Sequence, residues 1–302
     1  MTVTGIGQCS LDRLALVDSY PQVDTKKEVL KWDEQGGGPV ATALVALSRL
    51  GISCRFHGII GDDDAGEKIR QSLVDEGIDV TGLLKRKGAT SQVAFIAIER
   101  ETARRTIFWR RFSGEALRID ELGDHFLDRG NFLILDGLMT EVSLRAAEKA
   151  QGLGIPVMLD AGRMRPGMLE LARSSDYIVA SEEFAKDLRW ELTREGLMRE
   201  KESHAAKVIT VTLGDRGSIT VSKDEVIQMP AFPVEAIDTT GAGDVFHGGY
   251  VYGLLKRWGL KDTLVFATAL AAMKCAKMGG RAGIPRLADV KDFLKKRGHT
   301  VP

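Results

Sequence analysis

NFLILDGLMTEVSLRAAEKAQGLGIPVMLD, running from Asn131 to Asp160, reads as a strand, a helix and a second strand. Asn131–Asp136 is an apolar run short enough for a buried strand, and Pro156–Asp160 repeats the signal. Between them, Thr140–Gly152 places Val142, Ala146, Ala147 and Ala150 on one helical face. Outward from this unit the pattern continues, with strands expected at Tyr177–Ala180 and Lys207–Leu213 and helices between them. Strands separated by helices predict βαβ units and a parallel sheet. Upstream, Gln35–Leu50, Ser53–Ile60 and Ala65–Glu76 extend the same alternation. Downstream of Ala242 three helices are predicted, Gly243–Trp258, Lys261–Met278 and Arg286–Lys296. Four short runs break the rhythm: Leu14–Val17, Glu28–Trp32, Gln92–Glu99 and Arg105–Phe112. They predict a small β appendage inserted within about 13–34 and 90–113 of one domain spanning 1–302.

Composition narrows the function. Lys plus Arg and Asp plus Glu are both 42, so no bulk field draws the chain to nucleic acid or to a membrane surface. Cys9, Cys54 and Cys275 are scattered and have no metal-ligand spacing, which fits a reducing compartment better than a disulfide framework. The start, MTVTGIGQCS, lacks a basic segment followed by an apolar core, and no apolar stretch is long enough to span a bilayer. A cytoplasmic protein is expected.

The chemistry concentrates in DTTGAGDVFHGG, Asp238 to Gly249. Small residues at a helix start let backbone N–H groups converge on one anion, where the helix dipole also favours negative charge. Asp244 sets a carboxylate beside that anion site. The two repel each other, so the pairing suits a carboxylate that takes a proton from a hydroxyl attacking a phosphoryl group. A capped helix beginning with glycine is the plainer alternative.

This segment resembles the signature of the ribokinase-like (PfkB) carbohydrate kinases, and the resemblance extends over nearly the whole chain. It implies a three-layer α/β/α body with a mostly parallel sheet and a small β lid. In that family the last Asp of the signature, here Asp244, is the general base, and the amides of Gly241, Ala242 and Gly243 form the anion hole. GGGPVATALVALSRLG (Gly36–Gly51) is similar to the family's glycine motif, which implies Gly37, Gly38 and Thr42 at the acceptor. GQCSLD (Gly7–Asp12) resembles its opening strand and turn, which implies that Asp12 binds acceptor hydroxyls. GDDDAG (Gly61–Gly66) also falls at a family-like position. TLGDRGS (Thr212–Ser218) implies Thr212, Gly214 and Gly217 at ATP, and GRAGIP (Gly280–Pro285) implies Gly280 in a loop closing over adenine. Asp238 and Thr240, with carbonyls of the Cys275–Gly283 region, would hold K⁺. The strings GGGP-x-ATA, TTGAGDVFHG and GGRAGIP look most like the sulfofructose kinase branch. Lys26 stands where that branch has it, but the surroundings of Trp109 and Leu138 lack its polar residues. Two departures from the family pattern stand out. Thr42 replaces the usual Asn, and the N-x-x-E motif falls on Ser181–Phe184 with both marked residues absent, leaving Glu183 or water to meet Mg²⁺. The resemblance also implies a homodimer formed through the β lid.

Other features keep two readings. Asp160-x-x-Arg163 follows a strand end, where open α/β sheets meet ligands; Arg163 is therefore an acceptor candidate or half of a surface ion pair. Arg104, Arg105, Arg110 and Arg111 are a solvated strand edge, or else Arg105 meets an acidic group on the acceptor. His247, one turn into its helix, reads as a packing residue with no catalytic part. The expected activity is ATP-dependent phosphorylation of a sugar hydroxyl, with a ketohexose-type or anionic sugar favoured and a nucleoside as the alternative acceptor. Gly5-Ile6-Gly7 is a weak dinucleotide fingerprint, because Ser10 takes the third glycine's place. The chain contains no Gly-Lys dipeptide, which removes a P-loop. A non-catalytic sugar sensor on the same fold is disfavoured by the presence of Asp244.

Overall fold

The computed structural model describes residues 1–127 and 130–302, with the backbone alone at Asn131. In chain order the first half contains β1 (Thr2–Ile6), β2 (Ser10–Val17), β3 (Lys31–Gly37), α1 (Pro39–Arg49), β4 (Ser53–Gly61) and α2 (Asp64–Val74). It continues with β5 (Asp79–Arg86), β6 (Val93–Glu99), β7 (Arg105–Arg110), β8 (Gly130–Leu135), α3 (Thr140–Gly152) and β9 (Val157–Ala161). The second half adds α4 (Met168–Arg173), β10 (Tyr177–Ser181), α5 (Glu182–Asp187), α6 (Arg194–Ser203) and β11 (Val208–Thr212). Then come β12 (Ser218–Val221), β13 (Val226–Met229), α7 (Ala242–Leu255), α8 (Leu260–Lys274) and α9 (Leu287–Lys295).

Nine strands form one sheet in the order β13-β12-β11-β10-β9-β8-β1-β4-β5. All pairings are parallel except those of the edge strands β12 and β13. Successive side chains of a strand point to opposite faces, and the cores follow that rule. On β8, Phe132 and Ile134 join the apolar cluster beneath α1, α2, α7, α8 and α9, while Leu133 and Leu135 join the cluster beneath α3 to α6. A parallel sheet covered on both faces must be apolar on both, which is why NFLILD reads as a continuous apolar run.

The lid is a four-stranded sheet in the order β3-β2-β6-β7. Its register sorts its side chains. Leu11 of β2 pairs with Val93, Asp12 with Ala94, Leu14 with Ile96, and Ile98 of β6 pairs with Arg105. Asp12, Leu14, Ile96, Ile98, Arg105 and Ile107 therefore share one face, which packs over Met278 of the body. Trp32, Phe95 and Phe108 lie on the other face, all exposed, with Phe95 5.8 Å from Trp32 and 6.3 Å from Phe108 between ring centroids.

The sequence placed most of these elements and missed some. The strand expected at Glu28–Trp32 begins at Lys31 and runs through Gly36 and Gly37; the glycines conceal it, because they carry no side chain that alternates. β5, β12 and β13 were not anticipated. β12 and β13 are only four residues each and lie at a sheet edge, where neither periodicity nor burial gives a strong pattern.

Candidate active site

The start of α7 is shaped by glycine. Gly241 caps the helix at φ 74°, a left-handed conformation that costs other residues energy. A Cβ added there would stand 2.9 Å from the Cα of Gly280, so the 280 loop packs directly on the helix end. Further along α7, added Cβ atoms at Gly248 and Gly249 would stand 2.7 Å from the Ala46 Cβ of α1 and 2.8 Å from the Ala267 Cα of α8. These close approaches fix the helix between its neighbours.

No side chain caps this helix, so its first amides are available to a ligand. Ala242 is the exception, since its N–H donates to the Thr239 carbonyl at 3.2 Å. The anion hole expected from Gly241 to Asp244 therefore narrows at Ala242, which leaves the amides of Gly241, Gly243 and Asp244 without a main-chain acceptor among the described residues. A Cβ at Gly243 would meet open space.

Asp244 is half-buried at the same end. Its carboxyl, Asp160 and His247 place ligand atoms within 4.8 Å of one another. His247 Nδ1 lies 3.4 Å from Asp160 Oδ2, and its Nε2 lies 3.4 Å from the Val179 carbonyl. Burial first, and then the nearby Asp160, hold the Asp244 carboxyl above the ordinary carboxylate range; burial raises Asp160 as well. Burial lowers His247, against the pull of Asp244. The sequence read His247 as a packing residue. It is buried, as packing requires, and it also belongs to this acidic cluster.

Among the acceptor candidates, Asp12 is buried and accepts from Ser10 Oγ at 2.7 Å. Burial raises its carboxyl, with the Ser10 bond and the charge of Arg281 opposing. A Cβ on Gly37 would collide with the Asp12 carboxylate, and one on Gly38 with the Gln8 carbonyl, so β3 and α1 meet around the acid with no side chain between. Thr42 is buried and its Oγ1 accepts from Arg281 Nε at 3.3 Å. Arg281 also donates to the Gly37 carbonyl at 2.9 Å and to Ser72 Oγ at 3.2 Å. Asp136, at the end of β8, takes the amides of Gln8 and Leu138 at 2.8 and 2.9 Å, and burial pushes its pKa up to about 7. Sequence reading missed Asp136 and Arg281. NFLILD ends in Asp136, and an acid closing an apolar strand at its C-terminal end is the signal that was available.

Arg105 comes down from the lid and donates to Thr239 Oγ1 at 2.8 Å. The sequence left it as a solvated edge or a contact for an acidic acceptor; here its charge lies near Asp244 and lowers that carboxyl. Lys26 stands exposed on the connection between β2 and β3.

Of the nucleotide candidates, Thr212 and Gly214 line a cleft of about 520 Å³ together with Gly162, Ser181, Glu182, Glu183 and Lys186. Gly217 turns away from it, packed against the Met229 carbonyl of β13, and Gly280 sits against Gly241. Arg163 pairs with Glu183 at 2.8 Å, both exposed, so it stands beside a residue that lines the cleft. Ser181, where the family has Asn, caps α5 by accepting from Phe184 N at 3.0 Å. Asp238 and Thr240 are buried together: Asp238 Oδ1 accepts from Thr240 N and Oγ1 at 2.8 and 2.7 Å, and Oδ2 accepts from Gly279 N at 2.7 Å. No helix among the described residues is long and apolar enough to cross a membrane.

Residues 2–287 match the model of the pfkB family of carbohydrate kinases. The chain is 28% identical to fructokinase-1 of Zea mays over 287 residues, covering 86% of this chain and 88% of that protein. It is 25% identical to ribokinase of Lactococcus lactis, covering 97% of each. The solved structure of ribokinase from Thermotoga maritima superposes with a TM-score of 0.82 at 26% identity, covering 97% of this chain and 99% of that one.

Proposed function

Because this chain belongs to the pfkB family of carbohydrate kinases, we propose that it transfers the γ-phosphoryl group of ATP to a hydroxyl of a ketohexose-type sugar, with Asp244 as general base. The observation that carries this reading is the end of α7, where the Asp244 carboxyl, held above its ordinary pKa, stands beside the unclaimed amides of Gly243 and Asp244. As the hydroxyl oxygen attacks the γ-phosphorus, its proton passes to Asp244, the bond to the β-phosphate oxygen breaks and ADP leaves. The amides and Arg105 meet the charge that develops on the transferring group. ATP lies along the cleft at Thr212 and Gly214, and the acceptor lies between Asp12, Gly37, Gly38 and Asp244.

Mg²⁺ would be met at the cleft by Glu183 or through water; Glu183 is already paired with Arg163, and Glu182 is taken by Lys186 and Arg216. When bound, it neutralises charge on the ATP phosphates. K⁺ beside Asp238 is not part of this proposal, because the oxygens there are already engaged by the chain's own donors.

Asp12, Asp136, Asp160 and Asp244 line the acceptor side as buried or half-buried acids, which suits hydroxyl donors better than a second anion. Arg105, the candidate for reading an acidic acceptor, is occupied at Thr239. A panel of ketoses, aldoses, sugar acids, sugar phosphates and nucleosides, assayed for ADP release, tests the assignment. The expected result is a kcat/KM for fructose equal to or above that of its 6-phosphate and 6-sulfonate analogues. A preference of about tenfold or more for either anion, the worth of one shielded charge-assisted hydrogen bond, would return Arg105 and Lys26 to acceptor recognition.

The outer lid face, with Trp32, Phe95 and Phe108 exposed across three strands, supports a homodimer formed lid to lid. Aromatic anchors of this kind dominate interface energies. Sedimentation at micromolar concentration is expected to give a dimer, and Phe108→Glu a monomer that still melts cooperatively. A wild-type protein that sediments only as monomer would refute the dimer.

A further inference from the structure

Lys274 ends α8 and is 0% exposed. A buried ammonium is expensive unless it is paired and hydrogen-bonded. Its Nζ donates to the main-chain carbonyl of Asp238 at 2.8 Å, and Asp238 supplies the principal opposing charge. The same Asp238 begins the anion-hole loop. Its carboxylate already accepts three protein donors, two from Thr240 and one from Gly279. Main-chain bonds from Ile237 N and Asp238 N to the Cys275 carbonyl, at 2.8 and 3.2 Å, tie the loop to the end of α8.

A monovalent cation needs several oxygens whose lone pairs are free. Here the carboxylate oxygens of Asp238 point at N–H and O–H groups, its carbonyl takes the Lys274 ammonium, and the Cys275 and Met278 carbonyls accept Ile237 N, Asp238 N and Gln35 Nε2, so an added cation would compete with these donors. The site does not fit K⁺.

We propose that the Lys274 ammonium does the work of a bound monovalent cation, holding the Asp238–Gly241 loop so that the α7 amides face the phosphoryl group without any added ion. Lys274 is a positioning residue, since it acts through Asp238 and not on the substrates. The inference rests on the kinase reading of this loop, so one arm of its test does not require activity.

The wild-type enzyme is expected to turn over at the same rate in K⁺ as in tetramethylammonium at equal ionic strength. Crystals soaked in rubidium are expected to show no anomalous peak beside Asp238. Lys274→Ser empties the ammonium's place and leaves a hydroxyl. In tetramethylammonium its kcat should fall about ten- to a hundredfold, the loss of one charge-assisted hydrogen bond, and recover on adding K⁺. Lys274→Met fills the space without charge and should lose activity with no recovery. Severalfold activation of the wild type by K⁺, or a rubidium peak at Asp238, would overturn the proposal. So would Ser and Met variants that keep the wild-type rate in the organic cation. If neither variant folds, the rubidium measurement on the wild type still decides. An enzyme with no kinase activity but no rubidium peak would leave Lys274 in place and remove the kinase reading.

Discussion

Asp244→Asn is expected to lower kcat by about 10²–10⁴, the usual worth of a general base, with much smaller changes in the binding of ATP and acceptor. Asn preserves shape and removes only the ability to take the proton. A variant that kept about a third or more of wild-type turnover would remove Asp244 from the base's role. The acid limb of kcat/KM gives a second test. Burial and the neighbouring Asp160 raise the Asp244 carboxyl, so activity should be lost at a pH above the ordinary carboxylate value of about 3.9. Asp160→Asn removes the repelling charge and should move that limb to lower pH. Stability has the opposite sign. A carboxyl whose folded pKa is raised binds its proton more readily in the native state, so the ionised form costs stability above the folded pKa. That cost fades as pH falls toward the unfolded value. Asp244→Asn should therefore melt above the wild type at neutral pH, with the difference closing in acid. An unchanged or lower Tm at neutral pH would mean that the carboxylate is not strained there.

Gly243→Val is expected to abolish turnover in a folded protein. A side chain at this position meets no neighbour in the chain, and its φ is not in the left-handed region, so neither collision nor backbone strain unfolds it. Valine is no poorer a helix former than the glycine it replaces, which itself costs about 1 kcal/mol relative to alanine. The space it enters is the space before the Gly243 and Asp244 amides, where the transferring phosphoryl group is proposed to lie. Losing one oxyanion-type donor already costs about 10²–10³ in rate, and here the approach itself is obstructed. Near-wild-type turnover in a cooperatively melting variant would place the chemistry elsewhere. Gly241 is the position where strain belongs, at φ 74° against Gly280.

These two tests concern residues that the linear sequence pointed to. DTTGAGD announces itself because its glycines, its acid and its helix start are contiguous, so local physics suffices to read it. The acidic cluster is different. Asp136, Asp160 and Asp244 end or begin elements far apart in the chain, and only the sheet order brings β8, β9 and α7 to one edge. Arg281 and Lys274 were harder still. Both lie in segments that read as a helix end and a loop, where a lone cation is usually solvated, and their burial is visible only when the 280 loop closes over β3 and α1. Arg105 was recognised as important, but alternation along β7 tells which face it occupies and not what that face covers, so its contact with Thr239 was not legible.

The division of labour between α7 and β7 also bears on how this enzyme can change. Around α7, added atoms at Gly248 or Gly249 press on α1 and α8, so variation there is paid in folding. Every residue of β7 from Arg105 to Arg110 is exposed, and surface substitutions away from special features usually fall within about 0.5 kcal/mol of neutral. Beyond Arg105 and the interface candidate Phe108, the lid edge can accumulate substitutions while α7 stays as it is. Sequence drift is therefore expected to gather on β7 first, both in divergent descendants and in selected libraries, with thermal stability hardly moving as it does.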